Sequence, residues 1–89
     1  ILSMWEVFMN HENDEILESV IAIVKQATRS EDVDKSSSTE NFPKWDSLAY
    51  MSVVGEVEIK FGIEITEMNI NDFNSIEAIV DIVKKSKID

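Results

Sequence analysis

Residues 45–62 read WDSLAYMSVVGEVEIKFG and contain the clearest helical pattern of the chain. Apolar side chains recur there at steps of three and four residues, which places them on one side of a helix. We predict a helix that begins at Asp46 or Ser47 and ends near Gly62, since glycine often follows the last residue of a helix. The predicted buried face of this helix comprises Met51, Val54, Val57, Glu58 and Phe61, widened by Tyr50 and Val53.

The segments on either side of this helix predict further helices. Residues 13–29 have acids at their start, and apolar residues at helical spacing at Ile16, Val20, Ile23, Val24 and Ala27. Residues 30–44, SEDVDKSSSTENFPK, lose this periodicity and are typical of a long loop, which Val33 and Phe42 attach to the core.

The C-terminal part of the chain predicts one short and one longer helix. EMNINDF, residues 67–73, suits a brief helical turn. The last helix has Asn74 as its candidate N-cap, with Glu77 three residues later. The predicted fold class is therefore all-α: a small four-helix bundle of three main helices and one short helix, with a long loop between helices one and two.

Composition and charge restrict the class of protein. A length of 89 residues predicts one domain. The absence of cysteine fits a cytoplasmic protein and leaves no disulfide, thiol nucleophile or thiolate zinc site. Eighteen acidic and eight basic residues give a net charge of −10, which disfavours nucleic acid and anionic membranes and favours partners with basic patches. No apolar run approaches the roughly 20 residues of a membrane span, so no membrane insertion is expected.

We divide the chain into an N-terminal extension, residues 1–12, and a domain, residues 13–89. The extension begins ILSMWEVFM, which lacks the basic flank and cleavage site of a signal peptide. Because the chain starts with Ile rather than Met, part of the extension is a candidate for sequence added for expression. Its apolar residues would suit a short helix packed on the domain or on a second copy of the chain: Ile1, Met4, Trp5 and Phe8.

Ser47 is the residue with the most interesting chemistry, and we expect it not to act as a catalytic nucleophile. A catalytic serine needs a base, and His11 is the only histidine. The Gly-x-Ser-x-Gly elbow of hydrolases is absent, so we predict that the chain is not an enzyme. A calcium loop beginning at Asp32 is also disfavoured, because its sixth position is Ser37 rather than glycine, and no metal site is predicted.

Two other roles for Ser47 follow from its place at a helix start. An ordinary N-cap there would contribute about 1 kcal/mol of stability. Alternatively, the hydroxyl would accept a group from another enzyme, and a phosphodiester at that position would lie near the positive end of the helix dipole. The residues alone leave both roles open.

Asp46-Ser47-Leu48, followed by a hydrophobic helix that closes in FGIEI, resembles the modification-site region of acyl carrier proteins. The resemblance covers about residues 13–87. It implies that a phosphopantetheinyl transferase attaches 4′-phosphopantetheine from coenzyme A to Ser47, and that the arm carries acyl or aminoacyl groups as thioesters. Asp46 would face the transferase and its magnesium-bound coenzyme A. Leu48 would contact partner enzymes, and three glutamates would face their basic patches: Glu56, Glu58 and Glu64.

The chain also differs from the best-known fatty-acid carriers. They commonly carry acids at several positions of this helix where the present chain has Ala49, Ser52, Ile59 and Lys60. Trp45 is more similar to freestanding carriers of specialised pathways, such as polyketide, nonribosomal peptide or surface-sugar modification systems. The competing interpretations are a peptidyl or aminoacyl carrier and an unmodified acidic helical domain that docks on a basic partner.

The apolar interior of the predicted bundle allows two interpretations. If the interior opens, it would shelter an acyl chain from water; otherwise it is an ordinary dry core. The residues that would line it are Val53, Val54, Val57, Phe61, Ile65, Ile70 and Ile79.

Overall fold

A computed structural model describes residues 4–67 and 69–88, with side chains for residues 15–67 and 69–86. The chain forms α1 (Met4–Thr28), α2 (Ser47–Phe61), a short 3₁₀ helix (Ile70–Asp72) and α3 (Ile76–Ile88). Helix α1 packs against both α2 and α3. The predicted all-α bundle of three main helices and one short helix, with a long loop after the first, is confirmed.

Helix α1 begins at Met4, so the predicted start near residue 13 was wrong. Residues 4–14 contain neither proline nor glycine, and nothing in the backbone chemistry interrupts the helix there. With 25 residues, α1 is about 37 Å long and runs across the predicted boundary between extension and domain. The predicted packing of Met4, Trp5 and Phe8 lies outside the described side chains, and Ile1 lies outside the described residues.

All three helices and the long loop contribute to one hydrophobic core. Val20, Val53, Val57, Ile79 and Val83 have no exposed surface. The other buried apolar residues are Ile16, Ile23, Val24, Val33, Trp45, Ala49, Val54, Phe73, Ile76 and Val80.

The buried face of α2 differs from the predicted one at a single large residue. Met51 is 58% exposed, whereas Ala49, Val53 and Val57, each four residues apart, are buried. Residues spaced by four lie above one another on a helix, so these three define the centre of the face and place Met51 outside it.

The loop between α1 and α2 is held by buried side chains and by its own hydrogen bonds. Val33 is buried and Phe42 is half-buried against the core, as predicted. The backbone N–H of Thr39 donates to the carbonyl of Asn74 at 2.8 Å, and Ile76 N–H donates to the carbonyl of Ser37 at 3.1 Å. The middle of the loop is thereby paired with the start of α3.

A tight turn precedes this pairing. The Ser36 hydroxyl and backbone N–H both donate to the Asp34 carboxylate, at 2.6 and 2.9 Å. These hydrogen bonds hold the pKa of Asp34 below its ordinary value, with the Ser36 hydroxyl the largest cause. The Ser37 hydroxyl accepts from Asp34 N–H at 2.9 Å, which fixes the residue whose carbonyl pairs with α3.

The predicted end of α2 is confirmed, whereas the predicted N-cap of α3 is not. Gly62 closes α2 in the left-handed conformation, at φ 63° and ψ 37°, as predicted. The predicted N-cap Asn74 was wrong for α3, because the Ser75 hydroxyl accepts the N–H of Ala78 at 3.1 Å. The carbonyl of Asn74 instead receives the hydrogen bond from the loop.

Candidate functional site

Asp46 is the N-cap of α2. Its backbone is extended, at φ −92° and ψ −171°, and its side-chain oxygen accepts the N–H of Ala49 at 3.0 Å. Its carbonyl accepts the N–H of Tyr50 at 2.8 Å. Because an Asp at the N-cap satisfies one of the otherwise unpaired helix amides, the cap of α2 does not need the hydroxyl of Ser47.

Ser47 is the first helical residue, and its side chain is exposed. Its hydroxyl makes no hydrogen bond to any described residue. Of the two roles predicted for Ser47, the N-cap is therefore taken by its neighbour. The backbone amides at the start of α2 still favour an anion on this oxygen, while the carboxylate of Asp46 opposes one.

A surface groove runs beside Ser47. Its walls are formed by the end of the loop and the first turn of α2: Thr39, Trp45, Asp46, Ser47, Tyr50 and Met51. The aromatic and thioether side chains make it largely apolar, and Ser47 is one of the residues that line it. A chain attached to the Ser47 hydroxyl oxygen would therefore find an apolar surface within immediate reach.

Tyr50 connects this groove to the segment that leads into α3. The phenol hydroxyl donates to the carbonyl of Ile70 in the 3₁₀ helix. Burial raises the pKa of Tyr50, and the charge of Asp72 adds to the increase, while a hydrogen bond from the Phe73 backbone acts in the opposite direction. Tyr50 thus stays neutral at physiological pH and works as a donor that holds the two segments together.

A second surface lies on the outer side of α2 and is apolar. Leu48 is 83% exposed, Met51 58% and Ile59 79%; we call these residues the exposed apolar face. They share one side of the helix with Gly55, where an added Cβ would meet no atom within 4 Å. Leu48 is the residue to which the resemblance assigns a partner contact, and that contact stays a prediction. Met51 and Ile59 were not predicted, although their spacing of three and eleven residues from Leu48 was a usable signal.

The three predicted partner-facing glutamates occupy different environments. Glu56 and Glu64 are exposed, and Glu58 is half-buried. One carboxylate oxygen of Glu58 accepts the backbone N–H of Ile65 at 3.1 Å. Glu58 therefore fixes the chain after Gly62, a role that the sequence did not indicate because it depends on the path of that segment.

Trp45 combines deep burial with an unpaired donor. Its side chain is 2% exposed, and the indole Nε1–H has no hydrogen-bond partner in the described part of the chain. Buried polar groups are almost always paired, so this donor is unusual. The sequence identified Trp45 only by its likeness to specialised carriers.

Within residues 4–67 and 69–88, no three His, Cys, Asp or Glu side chains are arranged to hold a metal ion. None of the helices in those ranges combines the length and apolar character that a membrane span requires. His11, the only histidine, lies outside the described side chains. No family model, no curated protein and no solved structure matches this chain.

Proposed function

We propose that this chain is a carrier protein that bears 4′-phosphopantetheine on Ser47 and presents acyl or aminoacyl groups, as thioesters, to partner enzymes. The observation that carries the proposal is the exposed hydroxyl of Ser47, left without a hydrogen bond because Asp46 caps α2. Support also comes from the resemblance of Asp46-Ser47-Leu48 and of residues 61–65, FGIEI, to acyl carrier proteins.

The modification would be performed by a phosphopantetheinyl transferase rather than by this chain. The Ser47 oxygen would attack the pyrophosphate of coenzyme A, forming a new O–P bond and releasing 3′,5′-ADP, while its proton passes to a base on the transferase. Nucleophile access is the part that this chain supplies, since the hydroxyl needs no rearrangement to be reached. The thiol of the arm would then carry the cargo, and the absence of cysteine would leave it as the only thiol.

Mass spectrometry of the intact protein tests this proposal. After incubation with coenzyme A, magnesium and a broad-specificity transferase, we expect a mass gain of one phosphopantetheine. Ser47→Ala should show no gain, whereas Ser52→Ala, an exposed serine on the same helix, should be modified like the original chain. An unchanged mass with several transferases would overturn the proposal and favour the unmodified acidic interaction domain.

The exposed apolar face and Glu56 are the proposed contact surface for the transferase and other partners. Apolar anchors surrounded by charge are typical of binding surfaces, and the net charge of −10 suits basic partners. Glu56 is the better of the two α2 glutamates to test, because Glu58 also binds the backbone of Ile65.

We expect Glu56→Lys to lower the kcat/KM of modification about fivefold at low salt, because charges at the edge of an interface mainly change the association rate. Glu31→Lys is the control, since it changes the net charge equally at an exposed position outside α2. Circular dichroism should show unchanged helix content in both variants. Equal rates for the two variants would assign Glu56 to solvation alone.

A further inference from the structure

The indole N–H of Trp45 is buried and, within the described ranges, unpaired. Trp45 is 2% exposed and its Nε1–H has no partner among the described residues. Tyr50 also lines the groove, and its hydroxyl is paired with the carbonyl of Ile70. Of the two aromatic residues that line the groove, one therefore has its donor used by the fold, and the other does not.

The position of Trp45 connects this donor with Ser47. The two residues are separated only by Asp46 and line the same groove. A chain attached to the Ser47 oxygen and folded back along the groove would pass the indole ring. An indole N–H is a donor and never an acceptor, so the missing partner must be an acceptor.

The surroundings decide which kind of acceptor fits. A phosphate or carboxylate would have to be desolvated to reach the buried nitrogen, which is costly for a charged group, and the carboxylate of Asp46 at the groove would repel it. A neutral carbonyl oxygen has neither disadvantage. The apolar walls formed by Trp45, Tyr50 and Met51 also suit a neutral chain.

We propose that Trp45 Nε1–H donates a hydrogen bond to a carbonyl oxygen of the chain attached to Ser47, and so holds that chain in the groove. This inference rests on the proposed function. Carbonyls are present in the amides of the pantetheine arm, in the thioester and in a β-keto acyl cargo. Met51, unbranched and 58% exposed, is the wall residue able to move aside and admit the chain without disturbing the core.

Nuclear magnetic resonance of the indole N–H tests the proposal directly. Trp5→Phe leaves Trp45 as the only tryptophan, so ¹⁵N-tryptophan labelling gives a single indole cross-peak. The transferase is supplied with coenzyme A, hexanoyl-coenzyme A or 3-oxohexanoyl-coenzyme A, and intact mass verifies each product. Formation of the hydrogen bond should move the indole proton to lower field and slow its exchange with solvent about fivefold.

The three products distinguish the sources of the carbonyl. A change already in the unacylated product identifies an amide of the arm, a first change with hexanoyl identifies the thioester, and a change only with 3-oxohexanoyl identifies the ketone of the cargo. Each of these supports the proposal. A mass gain with an indole signal that stays the same in all products would overturn it while leaving the proposed function intact; no mass gain overturns both.

A thermal comparison separates a binding role of Trp45 from a purely structural one. In the Trp5→Phe variant, loading with the group that changes the indole signal most should raise Tm. In Trp5→Phe/Trp45→Phe the same loading should raise Tm by less, because the donor is absent while most of the apolar ring remains. An equal increase in both chains would contradict the proposal. If the double variant does not fold, the indole signal of the single variant decides.

Discussion

Two helices of this bundle begin with the same order of residue types and use it differently. Trp45-Asp46-Ser47-Leu48 leads into α2 and Phe73-Asn74-Ser75-Ile76 leads into α3, each an aromatic residue, an Asp or Asn, a serine and an aliphatic residue. Both aromatic residues are buried. Helix α2 is capped by the Asp, whereas α3 is capped by the serine, one position later in the pattern.

The difference of one position changes which hydroxyl is used by the fold and which aliphatic side chain is exposed. In α3 the Ser75 hydroxyl accepts the N–H of Ala78, and Ile76 is fully buried. In α2 the Ser47 hydroxyl has no partner in the described structure, and Leu48 is 83% exposed. The loop between α1 and α2 forms backbone hydrogen bonds with Asn74 and Ile76. Helix α3 therefore begins against a packed segment, whereas α2 begins at the surface.

The aliphatic residues at the starts of α2 and α3, Leu48 and Ile76, should differ most in their contribution to the free energy of unfolding. Ile76→Ala should lower the free energy of unfolding by about 3 kcal/mol, because it removes a fully buried side chain and leaves a cavity. Leu48→Ala should change it by less than about 0.5 kcal/mol, since the side chain is exposed. Urea unfolding measures both. Similar losses in the two variants would show that the α2 start is packed as tightly as the α3 start.

The two cap residues and Ser47 should give an intermediate difference in the free energy of unfolding. Asp46→Ala and Ser75→Ala should each cost about 1 kcal/mol, because each removes the oxygen that accepts a helix N–H. Ser47→Ala should be within a few tenths of a kcal/mol of the original chain, as its hydroxyl caps nothing. A loss near 1 kcal/mol for Ser47→Ala in urea unfolding would instead make Ser47 a structural residue.

The smallest expected effect is the pH dependence of the stability that Tyr50 contributes by joining the first turn of α2 to the segment before α3. Its pKa in the folded chain is raised above the ordinary 10.0, mainly by burial. The folded state therefore keeps the phenol proton longer than the unfolded state does. The stability linked to this proton is fully present below pH 10 and is lost as the pH rises through the folded pKa.

Tyr50→Phe should remove that alkaline loss and should cost about 1 kcal/mol at pH 7, because the carbonyl of Ile70 loses its donor. Urea unfolding of the original chain and of Tyr50→Phe between pH 7 and 11 measures the difference in their free energies of unfolding. Titration of the lysines affects both chains equally and cancels in that difference. Parallel pH profiles would mean that the phenol does not titrate with unfolding.

The periodic parts of the structure followed from the sequence, and the parts fixed by contacts between segments did not. Gly62 and the apolar spacing predicted both ends of α2 because these are local signals. Asn74 and Ser75 are both residue types that suit an N-cap. Ser75 is the one that caps α3, and the carbonyl of Asn74 accepts the N–H of Thr39. No local pattern indicates a bond between residues so far apart.

The candidate site shows the same division. The position of Ser47 at a helix start was predicted from the apolar spacing that follows it, and the exposure of Leu48 was implied by the resemblance to acyl carrier proteins. Met51 was assigned to the buried face because apolar residues occur on all sides of α2, so spacing alone did not fix the centre of that face. The unpaired donor of Trp45 and the bond from Ile65 to Glu58 depend on how distant segments pack.

Gly55 has a consequence for anyone who wishes to engineer this chain. It lies mid-way along α2, where alanine would be about 1 kcal/mol more favourable, and no neighbouring atom within 4 Å forbids a side chain. The fold itself thus has no need of glycine at this position. On the outer surface, however, Gly55 leaves the helix backbone without a side chain between the exposed Met51 and Ile59. The most obvious stabilising substitution would therefore also add a methyl group to the exposed apolar face.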